Sequence, residues 1–169
     1  MAAPRTLYLI RHAIACERGP KWPDDTKRPL TRAGIAKMRR AAKGIVAAGV
    51  KVDLVLSSPL VRARQTAEIV AAAFKRPPKV VEAKELAPDQ SAEAVVKLLA
   101  SHRQSRQLAL VGHEPDLGQL AAWLVGASRP IVFKKGGAAR IDVHDRSVRG
   151  GGQLVWLATP SLLRKIRST

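Results

Sequence analysis

Short apolar runs recur along this chain between longer stretches with helical periodicity, and that alternation leaves few folds open. Runs at 7–10, 52–56, 80–81, 108–111, 139–143 and 154–157 read as strands. Segments 31–48, 59–74, 91–102, 115–125 and 160–166 read as helices. Thr31 is suited to cap the first helix, and Gly49 to close it. Pro59 and Pro115 fit first helical positions, with Ser58 as a cap ahead of Pro59, and the glycines at 150–152 read as a turn. Strands and helices in this order predict an α/β fold with a mostly parallel central sheet flanked by helices. A chain of 169 residues with 46% hydrophobic content can bury one sizeable core, so a single domain over 1–169 is expected.

The ends of three strands carry the chemistry. Run 7–10 passes directly into Arg11 and His12, run 52–56 leads through Ser57, Ser58 and Pro59 to Arg62, and run 108–111 reaches His113. In open α/β sheets the carboxyl edge is where ligands bind, and neighbouring parallel strands bring such residues together. Helix N-termini with free N–H groups face the same edge, so the expected occupant is an anion.

Charge and composition narrow the classes. Thirty Lys and Arg against thirteen Asp and Glu leave a net charge of +17, a field that concentrates anions of any kind. The cations are spread over the whole chain, aromatics make up 4% of it, and no RNA- or DNA-binding pattern occurs, which disfavours a dedicated nucleic-acid binder. The single Cys16 fits a reducing compartment, and Arg11 and His12 interrupt any secretory signal, so a cytoplasmic protein without a membrane segment is expected. The four histidines, His12, His102, His113 and His144, show no metal-ligand spacing, and arginines beside two of them repel a dication. No metal and no cofactor are expected; the glycine-rich stretches match neither a Walker A loop nor a dinucleotide turn. His102 and His144 read as surface residues.

The residues around the cations add specificity. Arg11-His12-Ala13 resembles the Arg-His-Gly or Arg-His-Ala turn near the N-terminus of the histidine phosphatase superfamily, which has the phosphoglycerate-mutase-like fold. Residues 57–67 resemble that family's second arginine motif, with Arg62 in the phosphate pocket, and residues 110–117 its second histidine motif, with His113 there. Residues 28–34, residues 85–95 and the compact length resemble the short bacterial phosphohistidine phosphatases of the SixA type, so the resemblance spans nearly the whole chain. The basic tail at 162–169 has no counterpart.

The resemblance implies a metal-independent phosphatase acting on phosphohistidine in proteins. His12 would attack phosphorus and carry a covalent phosphohistidine, with Arg11, Arg62 and His113 as its catalytic partners. Arginine suits this pocket because its planar fork grips two oxygens and stays charged. Arg28 adds a phosphate contact in this reading; in the plainer one it merely leads into the first helix. For attack, the second ring nitrogen of His12 should donate to a fixed acceptor, expected to be a backbone carbonyl. Glu85 is the nearest candidate for a general acid, with an ordinary solvated glutamate as its alternative. The substrate is then a phosphorylated protein or, as a second reading, a small phosphorylated metabolite served by a general phosphomonoesterase. A third reading, an inert basic binding module, fits poorly with an intact set of Arg11, His12, Arg62 and His113. A mutase would need segments this chain lacks.

Overall fold

Each of the six apolar runs is a strand. The computed structural model describes residues 4–144 and 149–167. In chain order these contain β1 (Arg5–Arg11), α1 (Arg32–Ala47), β2 (Leu54–Ser57), α2 (Val61–Ala72), β3 (Lys79–Glu82), α3 (Ala92–Ser101), β4 (Gln107–Gly112), α4 (Asp116–Val125), β5 (Ala138–Val143), β6 (Gly152–Ala158) and the single turn α5 (Pro160–Leu163). Residues 168–169 of the basic tail lie outside the described residues.

The strands form one six-stranded sheet in the order β3-β2-β4-β1-β5-β6. The first four are parallel; β5 runs antiparallel to β1, and β6 to β5. Residues 7–10 and 108–111 form continuous apolar runs because both faces of β1 and β4 are covered. On one face Tyr8, Ile10, Val55 and Val111 share a core with Met38 and Ile45 of α1, Ala67 and Val70 of α2, and Leu163 of α5. On the other, Leu7, Leu9, Leu56 and Leu110 share one with Leu99 of α3, Leu120 and Leu124 of α4, and Phe133. The architecture is a single α/β domain with a mostly parallel sheet between two helical layers.

Thr31 caps α1 by accepting the Gly34 N–H at 2.9 Å, and Gly49 follows the helix at φ +77°. The start of α2 departs from expectation. Leu60, not Ser58, is its N-cap, and Pro59 precedes the helix. The Ser58 hydroxyl takes the Leu60 N–H at 3.3 Å and turns its other side to His113, so a tertiary partner overrides the local capping preference. Pro115 likewise stands at the N-cap of α4, one place before the first helical residue.

Strand register levels the site. Arg11 of β1 lies opposite Gly112 of β4, and Ser57 of β2 opposite Val111. The His12 N–H donates to the Gly112 carbonyl at 3.0 Å and the Ser58 N–H to the Val111 carbonyl at 2.9 Å, so the residue after each strand is fixed to its neighbour.

Candidate active site

A cavity of about 560 Å³ opens at the carboxyl edge of β1, β2 and β4. Arg11, His12, Arg28, Arg62 and His113 all line it, so five residues from opposite halves of the chain meet in one place. His102 and His144 do not; His144 is exposed, while His102 is half-buried at the C-cap of α3.

His12 is 6% exposed, and its Nδ1 lies 2.7 Å from the Ala13 carbonyl oxygen. A carbonyl only accepts, so Nδ1 carries the proton and Nε2 keeps its lone pair. The turn is held on both sides. The Ala13 N–H donates to Thr66 Oγ1 at 3.0 Å, which in turn donates to the Arg62 carbonyl at 2.7 Å. Opposite, the Gly136 N–H reaches the Arg11 and His12 carbonyls, both at 3.1 Å, from a backbone at φ +79° that favours glycine. Burial, followed by the charges of Arg62, Arg11 and Lys135, pushes His12 down to about 4 against the opposing pull of the Ala13 carbonyl. At neutral pH its ring is uncharged.

His113 is 4% exposed and its ring centroid lies 5.1 Å from that of His12. Burial, then His12, Arg62 and Arg11, push it down to about 3, with Asp25 opposing. Its Nε2 is 2.8 Å from Ser58 Oγ.

Each arginine is tied to the protein through its guanidinium. Arg11 Nη1 donates to the Phe133 carbonyl at 2.7 Å, and the Phe133 N–H donates to Glu114 Oε1 at 2.7 Å. Arg62 Nη1 and Nη2 donate to the backbone and side-chain oxygens of Asp25 at 2.8 and 3.0 Å. Arg28 Nε donates to the other oxygen of the same carboxylate at 2.8 Å, and its Nη1 to the Cys16 carbonyl at 2.6 Å. Arg18 adds a third cation to Asp25 at 3.2 Å. Burial works against ionisation of Asp25, but the Arg28 hydrogen bond and the charges of Arg62, Arg28 and Arg18 hold it below the ordinary carboxylate range.

Among the described residues, the buried side-chain nitrogens and oxygens without a hydrogen-bond partner are Arg11 Nε, Arg62 Nε and His113 Nδ1. An unpaired buried polar group is costly, and all three belong to residues that line one cavity together with His12. Such a set suits a tetrahedral oxyanion. Among the described residues, no three His, Cys, Asp or Glu side chains group as a metal site.

Glu85 does not line this cavity; it borders a separate small one behind His113. The carboxylates at the catalytic rim are Glu114, Asp89 and Asp116, with Glu17. Asp116 Oδ2 accepts the N–H of Asp89, whose φ of +66° is strained for a residue with a side chain. Burial pushes Asp116 up; the Asp89 N–H lowers it and the Asp89 charge raises it. Sequence reasoning passed over Asp25, Asp116 and Lys135. Asp25 had one local signal, its spacing three residues before Arg28, but nothing local points from it to Arg62, 37 positions on.

Residues 7–87 match the model of the histidine phosphatase superfamily (branch 1). An uncharacterized protein of Picosynechococcus is 37% identical over 150 residues, covering 82% of this chain and 89% of that protein. The phosphohistidine phosphatase SixA of Escherichia coli is 26% identical over 168 residues, covering 96% and 98%. A solved structure of the protein histidine phosphatase SixA complexed with tungstate superposes with a TM-score of 0.81 at 27% identity, covering 92% of this chain and 97% of that one. No helix of the described residues is long and apolar enough to cross a membrane.

Proposed function

We propose that this chain, which belongs to the histidine phosphatase superfamily, is a metal-independent phosphatase that removes the phosphoryl group from phosphohistidine in proteins through a covalent phosphohistidine on His12. The observation that carries the reading is that the residues lining the cavity of a neutral histidine hold three unpartnered buried nitrogens, Arg11 Nε, Arg62 Nε and His113 Nδ1.

The chemistry runs in two displacements. His12 Nε2 attacks phosphorus and forms an N–P bond while the substrate's own P–N bond breaks; the leaving imidazole takes a proton from solvent. Water then attacks phospho-His12, releasing inorganic phosphate and restoring the neutral ring. Charge on the transferring oxygens is met by Arg11, Arg62 and the N–H of His113, with Arg28 at the pocket's side, a task that a dication performs in many phosphoryl-transfer sites. Asp25 keeps two of these guanidiniums in place before substrate arrives. Similarity to a protein histidine phosphatase favours a phosphorylated protein as the partner, and the lone Cys16 favours the cytoplasm.

The test is a substrate profile of the purified protein: a phosphohistidine protein against aryl, sugar and glycerol phosphates, with and without EDTA. The proposal expects turnover of phosphohistidine and aryl phosphates, undiminished by EDTA. Inactivity restored only by Zn²⁺ or Mg²⁺ would overturn it.

One observation favours the second reading, a general phosphomonoesterase: Asp116 lines the cavity with its carboxyl pushed up by burial. An alkoxide is a poor leaving group, and a general acid is worth roughly 10²–10⁴ in rate there. Efficient hydrolysis of alkyl phosphates that collapses in Asp116→Asn, with aryl phosphates spared, would select this reading.

A further inference from the structure

Ser58 has no exposed surface, and its hydroxyl has two neighbours. One is the Leu60 N–H at 3.3 Å, which can only donate to it. The other is His113 Nε2 at 2.8 Å, which donates or accepts according to tautomer. If Nε2 carried the ring proton, the hydroxyl would accept from both neighbours and its own proton would be buried without an acceptor, which is costly. If Nε2 is unprotonated, the hydroxyl donates to it and every proton at Ser58 is placed. The remaining ring proton then sits on Nδ1, the atom left unpartnered in the cavity.

We infer that Ser58 is a positioning residue that fixes His113 as its Nδ1–H tautomer, so that a neutral imidazole presents an N–H rather than a lone pair to the phosphoryl oxygens. This rests on the phosphatase reading for its purpose, though not for its geometry. The two histidines of the site are thereby set in different ways: His12 is held by a carbonyl that accepts and exposes a lone pair on Nε2, whereas His113 is held by a hydroxyl that donates and exposes a hydrogen on Nδ1. Nucleophile and oxyanion donor are the same residue type, distinguished by the group behind each ring. A lone pair on His113 Nδ1 would instead repel the anion that Arg11 and Arg62 attract. The arrangement also explains why Ser58 does not cap α2, for its hydroxyl is committed to His113.

The test reads the tautomer directly, by long-range ¹H–¹⁵N correlation of the full-length protein at neutral pH, alongside tungstate affinity by calorimetry. The inference expects His113 in the Nδ1–H form in the unmodified protein. In Ser58→Ala the Nε2–H form should gain population, and tungstate should bind roughly tenfold more weakly, since each binding event then includes the tautomer change. Ser57→Ala is the control: Ser57 is equally buried, and its hydroxyl donates to the Ser58 carbonyl at 2.9 Å without touching His113. It should leave tautomer and affinity unchanged. An Nε2–H ring in the unmodified protein, or a Ser58→Ala variant with unaltered tautomer and affinity, would overturn the inference. Neither readout needs turnover, so absence of phosphatase activity would count against the proposed function alone.

Discussion

His12 and Asp25 show what single residues contribute here. As the proposed nucleophile, His12 should on removal cost several orders of magnitude in hydrolysis of an aryl phosphate, and His12→Ala should fold normally, since it deletes one side chain at the wall of an open cavity. Near-normal activity in a folded variant would exclude His12. The pH profile follows from its depressed pKa. The neutral ring is the active form, so activity is present above that pKa and lost as pH falls through it. The acid limb of kcat/KM should therefore lie near 4, not near the 6.5 of a free histidine, once the substrate's own ionisation is taken into account. A limb near 6.5 would contradict the geometry around the ring. Asp25 acts through others. Asp25→Asn keeps the shape but removes the charge between Arg28 and Arg62, and should raise KM for an aryl phosphate with a smaller change in kcat. An unchanged KM would mean that the clamp is idle.

Among the elements, α1 bears on the site through its packing. A Cβ on Gly34 would clash with the Ile14 carbonyl oxygen, two residues beyond His12, and the Thr31 N–H donates to the same oxygen at 3.0 Å. Backbone cannot yield as a flexible side chain can. Gly34→Ala should cost about 1–3 kcal/mol and lower kcat by displacing the turn that carries His12; denaturant melts and kinetics of one preparation measure both. The strands and the edge that carries the site were legible from sequence, because apolar periodicity is local and a parallel sheet exposes one edge by topology. Thr31 and Gly49 were legible for the same reason: a cap is decided within one turn. Ser58 was misread as a cap because its partner, His113, lies 55 positions away. Glu85, three residues past β3, stands out in the sequence where Asp116 does not, because the place of Asp116 at the rim depends on how β4 turns into α4.

At the scale of the whole molecule, the site lowers stability in acid. Both buried histidines are depressed, His12 to about 4 and His113 to about 3, whereas the unfolded chain protonates them near 6.5. Between those values the unfolded state binds protons that the folded state does not, so stability falls with acidification by up to about 1.4 kcal/mol per pH unit for each histidine. Urea midpoints at pH 7 and pH 5 should differ accordingly, and equal midpoints would refute the shifts. The net charge of +17 belongs to this scale too. It should speed encounter with an acidic phosphoprotein, so added salt should depress kcat/KM for that substrate more than for a small aryl phosphate. Equal salt dependence would leave the charge without a part in substrate capture.

The central claim is that the phosphoryl group passes through His12, and rapid quenching at alkaline pH tests it most directly, because phosphohistidine survives base and is lost in acid. After mixing with ³²P-labelled phosphohistidine protein, the account predicts a burst of label on the enzyme, located by mass spectrometry on His12 and absent from His12→Ala. Full turnover with no label on His12, or label on any other residue, would contradict it.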